Sequence, residues 1–139
     1  MEGKKVNKKI IALAISTMLV VTIYFIFIKS NELKLNLDTT NIHSIEYDEF
    51  DGVEMKHKKI TNKEDISKVT EYLNSLSLPK TSLRPKDAIN SLSFKDENNK
   101  VFKSFKFGDS GVLWIGSKTY TLGSSNMNTL KNLLINIDK

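Results

Sequence analysis

The chain has no cysteine among its 139 residues. Disulfides, thiolate nucleophiles, cysteine-ligated zinc and a lipid-modified N-terminal cysteine are thereby excluded. Arginine occurs once, at Arg84, and histidine twice, at His43 and His57. There are only two prolines and six glycines. No G-x-S-x-G run and no G-x-x-x-x-G-K-[ST] run is present, which removes the nucleophile-elbow and phosphate-loop readings. So sparse a set of proton-transfer and anion-binding groups argues against an enzyme. The sequence offers no catalytic residue, no metal site and no cofactor site.

What the chain does have is one long apolar run. Residues 10–28 read IIALAISTMLVVTIYFIFI, without a charge, a proline or a glycine. At the helical rise this run is roughly 28 Å long, close to the ~30 Å hydrocarbon core of a bilayer. A cleaved secretory signal has a shorter apolar core and small residues at its end, whereas this run ends on Tyr24, Phe25, Ile26, Phe27 and Ile28. The spacing therefore predicts an uncleaved, single-pass signal anchor. Lys4, Lys5, Lys8 and Lys9 precede it, and the flank beyond it is charge-balanced. By the positive-inside rule the N-terminus lies in the cytoplasm and the larger C-terminal part outside, which localises the protein to the cell membrane.

The same lysines account for most of the net charge of +5. Residues 1–29 carry +4 and residues 30–139 only +1. The exterior part shows no basic groove lined with aromatics, so no nucleic-acid partner is expected. With no disulfide available, its roughly 100 residues are held by a core alone. Abundant Lys, Asn and Ile with a single arginine point to an AT-rich genome and fit a Gram-positive bacterium.

The organisation expected is a basic cytoplasmic tail over residues 1–9, the transmembrane helix over 10–28, a stalk over 29–41 and an extracytoplasmic domain over 42–139. In the stalk, Leu33, Leu35 and Leu37 alternate with polar residues, a pattern that also suits a short strand docked on the domain. Residues 42–60 predict a β-hairpin turning at Asp51-Gly52. Thr61-Asn62-Lys63-Glu64 matches a capping box, and Ile66, Val69, Leu73 and Leu76 then form one helical stripe that Leu78-Pro79 closes. A polar loop over 80–87 follows. Strands are expected over 88–95, 101–107, 112–115 and 119–122. Ser124 or Ser125 is expected to cap a last helix bearing Met127, Leu130, Leu133, Leu134 and Ile137. The order β-β-α-β-β-β-β-α predicts an α+β fold, an antiparallel sheet of about six strands with two helices on one face.

The runs Ile42-His43-Ser44-Ile45-Glu46-Tyr47, Ile60 to Ile66, Tyr72-Leu73-Asn74-Ser75-Leu76 and Ser93-Phe94-Lys95-Asp96 resemble small extracytoplasmic domains of Firmicutes. Those domains follow a single membrane anchor or a lipoprotein signal. The resemblance spans roughly residues 42–137 and implies no catalytic residues.

Three groups of side chains invite a functional reading. With a two-residue turn at Asp51-Gly52, His57 faces Glu46 and His43 faces Ile60. The two histidines then lie on opposite faces and cannot share a metal. Glu46, Asp48, Glu49, Asp51 and Glu54 gather near the hairpin tip, but their spacing is not that of a calcium loop. Phe102, Phe105, Phe107, Trp114 and Tyr120 crowd the last strands. Phe105 and Phe107 share one face and Phe102 the other, so one set faces away from the helices and is a candidate partner-binding surface. The function expected is a membrane-tethered binding module that engages an envelope protein or other cell-envelope component, with the lipid bilayer as partner of residues 10–28. The alternative is a structural or accessory subunit of an envelope complex, recruited through its transmembrane helix.

Overall fold

A computed structural model describes residues 8–83, 90–108 and 110–137. Residues 1–7 of the expected cytoplasmic tail, half of the 80–87 loop and the start of the strand expected from residue 88 lie outside the described residues. The chain divides into two compact units, one up to Glu32 and one from Leu33 onward.

The first unit is a single helix, α1 (Lys8–Ser30). Its side chains from Ile11 to Phe27 are exposed all round. Among the described residues no helix is long and apolar enough to cross a membrane. Side chains are described for residues 11–27, which fall just inside the 10–28 run.

The second unit is α+β. After β1 (Glu32–Leu33) and a 3-10 turn (Thr39–Asn41) come β2 (Ser44–Phe50), β3 (Met55–Ile60), α2 (Lys63–Ser75) and β4 (Leu78–Pro79). Then follow β5 (Asn90–Lys95), β6 (Val101–Phe107), β7 (Val112–Ile115), β8 (Lys118–Thr121) and α3 (Ser124–Asn136). Six strands form one sheet in the order β3-β2-β5-β6-β7-β8, antiparallel at every pairing, and β1 and β4 form a separate two-stranded sheet. Element type and order follow the sequence expectation, with β1 and β4 as additions.

Strand alternation decides the core. Ile45 and Tyr47 on β2, Leu92 and Phe94 on β5, and Phe105 and Phe107 on β6 are buried in one cluster with Leu113 of β7 and Tyr120 of β8. The stripe Ile66, Val69 and Leu73 of α2 and the stripe Met127, Leu130 and Leu134 of α3 belong to the same cluster, so both helices cover one face of the sheet. Tyr72 Oη donates to the Asn126 carbonyl at 2.9 Å, tying the helices together. On edge strand β3, the Lys58 ammonium donates to the carbonyls of Ile135 and Ile137, groups left without an intrahelical partner where α3 ends.

Four local expectations are corrected. The first hairpin does not turn on two residues. Asp51 to Glu54 form the loop, because the Asp51 carboxylate accepts the N–H groups of Val53 and Glu54 at 2.9 and 3.0 Å. The cap of α2 is Asn62 rather than Thr61; its Oδ1 accepts from the N–H groups of Glu64 and Asp65. Helix α3 starts at Ser124 behind Gly123 and has no side-chain cap. Finally, the segment expected as a stalk is part of the domain from Leu33 on. Leu35 and Leu37 join the core, and the Asn74 side-chain amide accepts the Leu37 N–H at 2.7 Å and donates to its carbonyl at 2.8 Å.

The backbone passes close to itself at Gly111. Its carbonyl accepts from the N–H groups of Leu122 and Gly123, and a Cβ there would stand 2.8 Å from the Gly123 carbonyl carbon.

Leu73 lies at the centre of the α2 stripe and is fully buried. Leu73→Ala is expected to lower unfolding stability by about 2–5 kcal/mol in a denaturant titration. A loss under about 0.5 kcal/mol would remove α2 from the core.

Candidate functional site

With the helices on one face, the other face of the sheet is open, and its rows can be read across the strands. One row runs His57, Asp48, Ser91, Lys106 and Trp114. The four-residue loop shifts the hairpin register by two, so His57 faces Asp48 and not Glu46. Its Nδ1 lies 2.6 Å from Asp48 Oδ1, and Ser91 Oγ donates to Asp48 Oδ2 at 2.8 Å. An ionised carboxylate only accepts, so Nδ1 carries the hydrogen. The His57 bond, with Ser91 and the positive Lys95 adding to it, holds the Asp48 carboxyl below the usual carboxylate range. On the same face, Lys95, opposite Ser44, reaches diagonally to pair with Glu46 at 2.7 Å.

Serine, aspartate and histidine thus meet, but in an order unsuited to nucleophilic catalysis. The carboxylate sits between the other two, and no imidazole nitrogen bonds the Ser91 hydroxyl. A second serine pattern, Ser77-Leu78-Pro79-Lys80, has S-x-x-K spacing. Its residues run through extended strand β4, where positions three apart point to opposite faces and the lysine is not brought to the serine.

His43 lies just before β2 and is exposed, far along the hairpin from His57. Among the described residues no three His, Asp or Glu side chains are placed to hold a metal ion. The acidic hairpin tip is committed to its own loop. The Asp51 carboxyl is held well below the usual range by the Glu54 N–H first, then by Lys56 at 2.8 Å and the Val53 N–H.

The five aromatics divide. Phe105, Phe107 and Tyr120 are core residues and not a partner-binding surface: Phe105 is 1% and Phe107 0% exposed. Phe107 stacks on Tyr47 at 6.2 Å, and Phe105 meets Phe94 edge-on at 5.3 Å. Trp114 is half-buried on the open face. Phe102 is 45% exposed. It is the extra residue of a β-bulge, since Lys103 pairs with Phe94 while Val101 pairs with Lys95.

Phe102 lines a groove of about 960 Å³. The groove lies where β2 and β6 begin and β3 and β5 end, closed on one side by the segment from Leu35 to His43. Leu35, Leu37 and Ile42 supply its apolar part, and Asn36, Thr61, Lys63, Glu97, Asn98 and Lys103 its polar rim. Asp38 and Asp96 also line it, but their carboxylates are taken by local backbone and side-chain donors. The sequence signal for the groove was the apolar alternation of Leu35 and Leu37, which a stalk does not require.

Two measurements check these assignments. Phe105→Ala is expected to cost about 3–5 kcal/mol of stability, and Phe102→Ala to stay within about 1 kcal/mol. The depressed Asp48 carboxyl contributes stability that is present above its unfolded value near 3.9 and lost as pH falls through the lower folded value. Asp48→Asn is therefore expected to melt below the wild type at neutral pH. That gap should close as the pH drops below about 4; a gap unchanged at acid pH would mean that the ionised carboxylate adds nothing. No protein-family model, curated protein or solved structure matches the chain, so fold and site rest on these residues alone.

Proposed function

We propose that the protein is a membrane-tethered extracytoplasmic binding module, held by α1 and engaging an envelope component through the groove and Phe102. The observation that carries this reading is α1 itself. It presents Leu13, Met18, Leu19, Tyr24 and Phe27 around its circumference, all exposed. A helix apolar on every side is stable in lipid or in a protein interior, not in water. Its two threonine hydroxyls are satisfied within the helix: Thr17 Oγ1 donates to the Leu13 carbonyl and Thr22 Oγ1 to the Met18 carbonyl, each at 2.7 Å. The lysines at its N-terminal end favour an external domain.

A module of this kind needs a domain that holds itself together. All core residues lie between Leu35 and Ile137, in the second unit. The resemblance to small extracytoplasmic domains of Firmicutes points the same way. The accessory-subunit alternative uses the same helix but needs no groove.

Orientation is tested in intact protoplasts. The hairpin loop is the natural cleavage point, because Val53 is 89% exposed. Added protease is expected to cut there while an N-terminal tag stays protected. A protected loop with a digested tag would reverse the topology.

A further inference from the structure

The polar groups around the groove are unevenly committed. Among the described residues the His43 ring, the Asn36 and Asn98 side-chain amides and the Glu97 carboxylate have no hydrogen-bond or ion-pair partner, and Phe102 has no ring contact. Lys63 and Lys103 are likewise unpaired. Against them stand Asp38, Asp96 and Glu97, so the lining carries charge of both signs with a near-zero balance. Its volume of about 960 Å³ lies at the upper end of the roughly 300–1,000 Å³ of ligand sites.

We infer that this groove binds an uncharged oligosaccharide, with Phe102 as the stacking platform. The inference rests on the binding-module reading and names its ligand class. A balanced lining gives no field to attract a polyphosphate or a polycation. Sugar hydroxyls both donate and accept, and the groups left free match them: amides do both, and a neutral imidazole has one nitrogen for each role. The C–H face of a pyranose is the apolar surface that an exposed aromatic ring can cover. The bulge that releases Phe102 from strand pairing leaves this ring uncovered at the groove. An extended peptide is a poorer fit. Strand addition needs a free sheet edge; β2, β5 and β6 are paired on both sides, and edge strand β3 ends at the groove without contributing a residue to its lining.

The full chain in a detergent without a sugar headgroup would be titrated calorimetrically with two probes. One is the β-1,4-linked tetramer of N-acetylglucosamine; the other is maltotetraose, which has no acetamido groups. Saturable heat with at least one probe is expected. Phe102→Ala should weaken that binding about tenfold or more, His43→Ala should weaken it less, and Trp114→Ala, outside the groove, should leave it unchanged. Saturation by only the first probe would assign the amides to acetamido groups. Absence of heat with both probes overturns the inference, as does binding that folded Phe102→Ala leaves intact. Failure here leaves the topology result standing. A reversed topology with sugar binding intact in micelles would overturn the location and keep the ligand.

Discussion

The meeting of Phe94 and Phe105 at the middle of the sheet is the contact on which the domain depends. Both rings are fully buried, on neighbouring strands, between the sheet and the two helices. An edge-to-face aromatic pair adds about 0.5–1.5 kcal/mol beyond the area it buries. That contribution is about a tenth of the net stability, which is only about 5–15 kcal/mol for domains in general, and no disulfide adds to it here. The same pair fixes the sense of alternation on β5 and β6. Once Phe94 and Phe105 face inward, Ser91, Ser93, Ser104 and Lys106 must face outward, and the polar character of the open face follows.

That dependence explains what was legible in the sequence. The stripe of Ile66, Val69 and Leu73 and the alternation of Leu92, Phe94, Phe105 and Phe107 are long-period apolar signals, and tertiary packing reinforces them. The places where the sequence misled are decided by competition among a few polar atoms. At Asp51-Gly52 the dipeptide favours a two-residue turn, but the Asp51 carboxylate finds two N–H groups in a longer loop. At Asn62, a better capping residue sits one position after the threonine. Composition alone could not divide the five aromatics. Phe102 is separated from Phe105 and Phe107 by alternation, and its own conformation comes from a bulge that no local residue preference announces.

The groove was the least legible feature because it is made by long-range contact. Leu35 and Leu37 read equally as a stalk and as a docked segment, and distant partners choose between them: the core they join, β4 paired with β1, and the Asn74 side chain, 37 residues from Leu37. The chemistry on the open face is likewise invisible locally. His57, Asp48 and Ser91 become neighbours only when β2 is placed between β3 and β5. Their order, with the carboxylate in the centre, makes them a cross-strand brace and not a reactive set.

The docking of Leu37 has a mechanical consequence. Any force drawing the chain out at Glu32 reaches Leu33, Leu35, Leu37 and the paired Asn74 bonds before it reaches β2. Peeling that segment would open one wall of the groove while the six-stranded sheet stays whole. If the groove holds a ligand, tension in the chain and occupancy would oppose each other, and the bound ligand would raise the force needed to detach the segment.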